Sequence, residues 1–306
     1  MDGKTLNVGG RSEFNAFHVC EIGASHIKEE KPCQDFSLSY VGRDYAVAIV
    51  CDGHGGNKYF RSDRGSRMAA EQSLLAIQEF MKSRYVKNQN GGKVINTLLA
   101  NPETYLNQLA ANIIYRWREC LAADYATEPF TEKEIAILTP KELAAVQEEG
   151  GWVTAYGTTL IASLRAKKFW FGLHIGDGKC VAVNNEGEYS QPIPWDDKCF
   201  LNVTTSLCDV QALSRFRTYF GKDNLPTSIF VGSDGVDDTF GTDEALHDFY
   251  RTVLKLFAEN GMQKGKEELQ NYLPNLSAKG SQDDISIAGI IMNKGLKNDL
   301  ANSSGT

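Results

Sequence analysis

The sequence lacks long hydrophobic runs, paired-cysteine motifs and an excess of basic residues. No apolar stretch approaches the ~18 residues that a membrane-spanning helix needs. The 7 cysteines are scattered, and none forms a C-x-x-C pair, which argues against a disulfide framework and a zinc knuckle. With 39 acidic and 32 basic residues, the chain has no basic surplus for binding nucleic acid or anionic lipid. The polar N-terminus has no apolar signal-peptide core, so we predict a cytoplasmic protein without nucleic-acid or membrane partners.

The composition that is present is that of an ordinary globular protein. The 306 residues are 42% hydrophobic and 23% charged, which rules out disorder and leaves enough apolar surface for a sizeable core. Because no repeat or low-complexity linker divides the chain, we predict one domain over residues 14–293, with tails at 1–13 and 294–306. The polar stretch 87–93 is a predicted loop, and residues 126–150 form a predicted helical insertion.

Hydrophobic patterning predicts a mixed fold. Short apolar runs rich in β-branched and aromatic residues predict strands at 45–51, 159–164, 169–175, 228–231 and 285–292, with further candidates at 35–41 and 180–184. Helical spacing and capping signals predict helices at 61–85, 101–125, 139–149, 242–260 and 264–272. Since strands and helices do not alternate strictly, we predict an α+β fold in which sheets pack against helices.

Aspartates stand at the ends of four apolar strands. Asp52, Asp177 and Asp234 each follow a predicted strand and are flanked by glycine, and Asp283-Asp284 precedes the last one. Any single Asp-Gly pair is ordinary turn chemistry, but four such strand ends are harder to explain in that way. If they converge, the crowded carboxylates need a cation, and oxygen-only ligation favours Mg²⁺, Mn²⁺ or Ca²⁺ over zinc.

Five motifs in order resemble those of the type 2C metal-dependent serine/threonine protein phosphatases. The motifs are Asp52-Gly-His-Gly-Gly56, Tyr156-Gly-Thr-Thr159, Gly176-Asp177, Ser233-Asp-Gly-Val-Asp-Asp238 and Ser281-Gln-Asp-Asp-Ile-Ser286. Each motif is weak alone, but the five in register are strong, and the resemblance covers roughly residues 17–292. The resemblance implies a β-sandwich of two antiparallel sheets flanked by helices, with a metal centre at one end. It also implies that residues 192–225 are a variable flap beside that centre.

The resemblance assigns most of these acids to two or three Mn²⁺ or Mg²⁺ ions. Asp52 would bridge two ions, the Gly53 carbonyl would bind one of them, and Asp234 and Asp283 would bind the other. A third and weaker ion would be held by the remaining acids of the motifs, Asp177 and Asp238.

The segment before the first predicted strand departs from the family pattern. Asp35 matches the second acid of a supporting acidic pair, but Gln34 replaces the first. The family usually has an arginine shortly before this pair to hold the substrate phosphate, and residues 25–35 contain none. Lys28 is the nearest replacement, with His26 and Lys31 as rivals. A lysine supplies charge without the bidentate fork of arginine, and the competing interpretation of Lys28 is a solvated surface residue.

The resemblance implies hydrolysis of phosphoserine and phosphothreonine in proteins by a metal-activated water. His54 would donate a proton to the departing serine or threonine oxygen, although a structural role in packing is the competing interpretation. Partners would be a phosphoprotein substrate and a cognate serine/threonine kinase. Two alternatives stay open: a catalytically impaired member that binds phosphoproteins or a kinase, and a structural Ca²⁺-binding module.

Overall fold

The structure, a computed structural model, describes residues 12–83, 95–199 and 203–296, so the predicted loop at 87–93 lies outside the described residues, as do positions 1–11 and 297–306 of the predicted tails. Its strands form two five-stranded antiparallel sheets. The strands are β1 (Phe14–Glu21), β2 (Phe36–Val41), β3 (Tyr45–Cys51), β4 (Leu160–Ala166), β5 (Trp170–Ile175), β6 (Lys179–Val183), β7 (Tyr189–Ser190), β8 (Arg217–Gly221), β9 (Ser228–Gly232) and β10 (Ile285–Met292). The first sheet has the order β2-β3-β4-β5-β8, and the second has the order β1-β10-β9-β6-β7.

Helices cover the outer face of each sheet. The helices are α1 (Ala24–Lys28), α2 (Ser62–Lys82), α3 (Ile95–Ala100), α4 (Pro102–Thr127), α5 (Glu132–Ala136), α6 (Pro140–Gln147), α7 (Ala212–Arg215), α8 (Asp234–Asp237) and α9 (Asp243–Lys279), with 3-10 turns at Asn57–Tyr59 and Gly151–Tyr156. Helix α2 lies on the first sheet and packs against α4, and α9 lies against the second sheet. No helix in the described ranges is long and apolar enough to cross a membrane.

The pattern of β3 shows why the sandwich forms. Successive side chains of a strand point to opposite faces of its sheet. Ala46, Ala48 and Val50 join the core between the sheets, and the intervening Val47 and Ile49 join the core under α2 and α4. Since both faces are buried, the strand is a continuous apolar run with no polar alternation. The same double burial explains β10, in which all eight residues are buried.

The predicted α+β class and the sandwich of two antiparallel sheets are confirmed. The strands β3 and β10 match their predicted ranges, and the break between the predicted helices at 242–260 and 264–272 lies at Gly261, where φ is 76° within α9. Beyond the break the helix continues to Lys279, further than the predicted end.

The sequence prediction missed three pairing strands, of which the two-residue β7, which pairs with β6, is the shortest. β1 pairs with β10 and β8 pairs with β5, each with polar residues on a partly exposed face. Mixed polarity of this kind is typical of edge strands and weakens the apolar signal. Because β8 lies at 217–221, part of the region interpreted as a flap belongs to the first sheet.

Candidate active site

Strand ends from both sheets meet around a cavity of about 500 Å³. The cavity is lined by acids from the ends of five strands, together with two histidines and one lysine. The acids are Asp35 before β2, Asp52 after β3, Asp177 after β5, Asp234 after β9, and Asp283 and Asp284 before β10. The predicted convergence of the aspartate-bearing strand ends is therefore present in the fold.

The loop after β3 is fixed by a pair of threonines. Thr158 Oγ1 and the Thr159 N–H donate to the Asp52 carbonyl oxygen, each at 2.8 Å, and the Asp52 N–H donates to Thr159 Oγ1 at 3.1 Å. A Cβ atom on Gly53 would lie 2.4 Å from the Gln34 carbonyl oxygen, so only glycine fits there. These contacts give the Tyr156–Thr159 motif a structural role: it holds the Asp52-Gly53 turn in place.

Three carboxylates form a compact group in the cavity. One oxygen from each of Asp52, Asp177 and Asp234 lies within 4.8 Å of the others. Burial, followed by the negative charge of neighbouring acids, raises the pKa of Asp234 to about 7 and that of Asp52 well above its usual range. Burial also raises the pKa of Asp177. Burial and the neighbouring acids outweigh the positive charge of Arg217, which acts on Asp177, so the group is left without full compensation. Its all-oxygen donor set fits a hard divalent cation.

A second group lies where α1 meets the turn before β10. His26 Nδ1 is 3.0 Å from Asp284 Oδ1, and His26 Nε2 is 3.9 Å from Asp283 Oδ1. The contact with Asp284 raises the pKa of His26, against the effect of burial. Asp283 is half exposed, whereas Asp284 is buried and accepts backbone hydrogen bonds from Gly23 and Gln34, each at 2.6 Å. The predicted ligand Asp283 is therefore the one of the two acids that faces the open cavity.

The supporting acids occupy different positions. Asp35 is buried, and desolvation raises its pKa well above the usual range. Asp238 is exposed and does not line the cavity, but its charge contributes to the raised pKa of Asp177, Asp234 and Asp283.

The glutamine that replaces the first acid of the pair supports the wall of the cavity. Gln34 Nε2 donates to Ser62 Oγ at 2.5 Å and to the His54 carbonyl oxygen at 3.1 Å. The substitution thus joins the segment before β2 to the N-terminus of α2 and to the loop after β3. A neutral amide can donate both bonds, whereas an ionised carboxylate could only accept.

Only some of the histidine and lysine candidates line the cavity. His54 and His26 line it, but Lys28 is exposed and is not among the lining residues. Lys58, which sequence reasoning missed, does line it, and its Nζ lies 4.7 Å from the centroid of the Tyr59 ring. The sequence signal that could have identified Lys58 was its position, two residues after the end of the Asp52–Gly56 motif. Burial lowers the pKa of His54 to about 4, so its ring is neutral at neutral pH when no anion lies beside it.

A network of charged and polar side chains joins the predicted insertion to Tyr156. We call it the Arg61 network, and its members are Arg61, Asp124, Glu134 and Tyr156. Arg61 Nε is 2.6 Å from Glu134 Oε1, and Arg61 Nη1 donates to the Tyr156 hydroxyl at 2.8 Å. That hydroxyl donates to Asp124 Oδ2 at 2.8 Å. Burial opposes ionisation of Glu134, but hydrogen bonds from Arg61 and Thr131 lower its pKa to about 2. The insertion thus braces Tyr156, which begins the motif that holds Asp52.

A sequence model of the family described as protein phosphatase 2C matches residues 22–274. The chain belongs to the protein phosphatase 2C family. The predicted family and enzyme class, a protein serine/threonine phosphatase, are therefore confirmed. No curated protein sequence matches the chain significantly.

Solved structures of bacterial phosphatases share the protein phosphatase 2C fold with this chain. Stp1 from Staphylococcus aureus has a TM-score of 0.53 at 15% identity, covering 96% of this chain and 100% of its own. PppA, described as a key regulatory component of T6SS in Pseudomonas aeruginosa, has a TM-score of 0.54 at 15% identity, covering 91% and 97%. The catalytic domain of PstP in complex with two manganese ions has a TM-score of 0.51 at 16% identity, also covering 91% and 97%. At these identities the similarity establishes the fold alone.

Proposed function

We propose that the cavity hydrolyses phosphoserine and phosphothreonine in protein substrates with the help of two or three bound Mn²⁺ or Mg²⁺ ions. The observation that carries this proposal is the uncompensated group formed by Asp52, Asp177 and Asp234, with its raised pKa values. Bound divalent ions would acidify a water for attack on phosphorus and offset charge that develops on the phosphoryl oxygens. The Mn²⁺-bound structure of a phosphatase with this fold is consistent with such a site.

The chain's own residues divide the work of holding the ions. We assign the two tighter positions to the carboxylates of Asp52, Asp234 and Asp283 with the Gly53 carbonyl. Asp177, helped by the nearby charge of Asp238, serves a weaker third position. Its oxygen lies within 4.8 Å of both Asp52 and Asp234, which supports that role. We assign Asp35 a supporting role, since it is buried, lines the same cavity and acts electrostatically on Asp52.

His54 is the proposed proton donor to the departing serine or threonine oxygen. It lines the cavity two residues after Asp52, and its ring packs 4.7 Å from that of Tyr59. Burial keeps the free ring neutral, but a phosphate anion bound beside it favours the protonated form. The proposal predicts that His54→Gln slows hydrolysis of phosphoserine peptides by ~10² to 10⁴-fold, and that of nitrophenyl phosphate far less, because nitrophenolate leaves without a proton. Equal losses on both substrates would remove this role.

Lys58 is the better candidate for holding the substrate phosphate. It lines the cavity, whereas Lys28, the replacement suggested by the sequence, is exposed outside it. We expect Lys58→Ala to raise KM for phosphopeptides about tenfold or more, and Lys58→Arg to restore binding, because a charge-assisted hydrogen bond contributes about 1.5–3 kcal/mol. Lys28→Ala is the matched control and should leave KM unchanged. A KM that responds to Lys28→Ala and not to Lys58→Ala would return the role to Lys28.

We also propose a domain organisation and partners for the chain. We take residues 14–293 to act as one catalytic domain, with 126–150 as an insertion that braces it and 192–225 contributing both an edge strand and a variable surface beside the cavity. Phosphoprotein substrates follow from the family, and a cognate serine/threonine kinase is the partner that we propose in addition. The exposure of Trp195 in this region leaves an aromatic side chain free to contact a substrate.

A direct assay tests the proposed activity. Phosphate release from phosphoserine and phosphothreonine peptides should require Mn²⁺ or Mg²⁺ and stop with EDTA. The full chain with Asp52→Asn provides the control for contaminating phosphatase. Binding of the same phosphopeptides without phosphate release, at saturating metal, would favour the impaired-member alternative. Stabilisation by Ca²⁺ with neither binding nor release would favour the structural module.

A further inference from the structure

The second polar group of the cavity contains a histidine with a fixed orientation. The His26 side chain is only 10% exposed, and Asp284, which faces its Nδ1 atom at 3.0 Å, is 2% exposed. One ligand atom from each of His26, Asp283 and Asp284 lies within 4.8 Å of the others. The group belongs to the same cavity as Asp52, Asp177 and Asp234, and it supplies a nitrogen atom that the first group does not have.

The carboxylate behind the ring is held from several directions. The N–H groups of Gly23 and Gln34 donate to its two oxygens, Oδ1 and Oδ2, at 2.6 Å. A Cβ on Gly23 would lie 2.3 Å from the Asp283 carbonyl carbon, so glycine is what allows this close approach. Asp284 therefore cannot move away from the ring without losing both backbone hydrogen bonds.

The short helix that carries the ring is tied to the same turn. The Ser25 N–H and Oγ both donate to the Gln282 carbonyl oxygen, at 2.9 and 2.8 Å. The Ala24 N–H donates to Ser277 Oγ at 3.0 Å, and that hydroxyl donates to the Asp283 carbonyl oxygen at 2.9 Å. Helix α1 and the Asp283-Asp284 turn thus form one rigid unit, which fixes the Nε2 atom beside Asp283.

The contact between His26 Nδ1 and Asp284 is close to the arrangement that proteins use to present histidine to a metal ion. A metal-binding histidine almost always donates its other ring N–H to a carboxylate or a carbonyl, which fixes the tautomer and the ring orientation. With the proton on Nδ1, the lone pair of the ring is on Nε2, which lies 3.9 Å from Asp283 Oδ1. Two donors of one ion with bonds of ~2.1 Å can lie up to ~4.2 Å apart, so the separation is compatible with a shared ion.

We propose that His26 Nε2 is a ligand of an ion bound by Asp283, with Asp284 positioning the ring. The inference rests on the proposed function only in that the cavity binds a divalent metal. It predicts a preference for Mn²⁺ over Mg²⁺, because imidazole suits transition metals and Mg²⁺ prefers oxygen ligands and water. The alternative, in which His26 contacts the substrate phosphate, places no nitrogen on the metal.

Pulsed electron paramagnetic resonance of the Mn²⁺-loaded full chain, without substrate, tests the ligand directly. The wild-type protein should show electron spin-echo modulation from a nitrogen nucleus, and ¹⁵N labelling of histidine should change its frequency. The modulation should disappear in His26→Gln and persist in His54→Gln, the matched control at the other histidine of the cavity. Titration of His26→Gln by calorimetry should show Mn²⁺ affinity lowered about 10-fold to 100-fold, with Mg²⁺ affinity nearly unchanged.

The outcomes separate this inference from the proposed function. Mn²⁺ binding without nitrogen modulation in the wild type, or modulation that survives His26→Gln, overturns the ligand assignment and leaves the phosphatase proposal intact. Failure of the wild type to bind Mn²⁺ overturns both. If His26→Gln does not fold, the wild type and His54→Gln still decide, because His18, His174 and His247 do not line the cavity. Asp284→Asn should keep the nitrogen signal while weakening it, since the amide keeps an oxygen beside Nδ1 but removes the carboxylate charge.

Discussion

The acidic cavity and the Arg61 network both bury ionisable side chains, but they compensate the charge in opposite ways. In the network, Glu134 and Asp124 face Arg61 and the Tyr156 hydroxyl, and the pKa of Glu134 falls to about 2. In the cavity, carboxylates face one another, and the pKa of Asp234 rises to about 7. A group that is neutralised within the chain supports structure, whereas a group left uncompensated is suited to an ion from solution.

The largest expected effect comes from removing one carboxylate of the cavity. Asp234→Asn should lower metal-dependent turnover by ~10³-fold or more, because metal-ion catalysis contributes several kcal/mol to lowering the barrier. In EDTA, the same variant should unfold at a higher temperature than the wild type, because a source of mutual repulsion has been removed. Phosphopeptide assays measure the loss of turnover, and thermal unfolding in EDTA measures the change in stability. A variant that is less stable in EDTA would contradict the contrast with the Arg61 network.

Breaking the Arg61 network should lower the stability of the fold, whereas removing a cavity carboxylate should raise it in EDTA. Glu134→Gln leaves Arg61 buried with less compensating charge, and we expect a loss of about 2–3 kcal/mol in the free energy of unfolding. The folded-state pKa of Glu134 lies below its ordinary value of 4.5, so its contribution is full above that pH and is lost as the pH falls toward about 2. Urea unfolding across this range measures both, and the variant should lack that part of the acid dependence. Unchanged stability would show that Asp124 alone compensates Arg61.

The pH dependence of the metal-free protein sharpens the comparison. Asp52, Asp177 and Asp234 have folded-state pKa values above the ordinary 3.8, so between about pH 4 and 7 the folded state binds more protons than the unfolded state. Stability in EDTA should therefore fall as the pH rises through this window. Saturating Mn²⁺ should abolish or reverse the trend, since the ion competes with protons. Thermal unfolding at a series of pH values, with and without Mn²⁺, makes the measurement.

The smallest expected effect on stability comes from the two capping threonines of the insertion. Comparing them separates the loss of a helix cap from the loss of support for the Glu134 carboxylate. Thr131 and Thr139 each cap a helix in a reciprocal capping box, with Glu134 and Glu142 respectively. Replacing either threonine by alanine should cost about 1 kcal/mol for the lost cap. Thr131→Ala should cost more than Thr139→Ala, because Glu134 also holds Arg61. Equal losses would show that Glu134 needs no help from Thr131 to reach Arg61.

The two regions also differ in how far they could be predicted. Asp52, Asp177, Asp234 and the Asp283-Asp284 pair were identified because each borders a mainly apolar strand, a pattern that the sequence displays directly. Asp35 borders the mixed strand β2 and was assigned only through the family resemblance. Arg61 and Glu134 lie 73 residues apart and belong to ordinary surface-like segments, so nothing local predicts their pairing. The short helix α1, the edge strands β1, β7 and β8, and the position of Lys58 in the cavity wall were missed for a similar reason. Each depends on long-range packing that overrides weak local patterns.

The candidate ligands come from both layers of the sandwich: Asp52 and Asp177 follow strands of the first sheet, while Asp234 and Asp283 border strands of the second. An ion shared among them would act as a cross-link between the layers. Opening one sheet locally would then require release of the ion from the other. Amide hydrogens near the ends of β3 and β10 should therefore slow their exchange together when Mn²⁺ is added, and the two sheets should open as one cooperative unit.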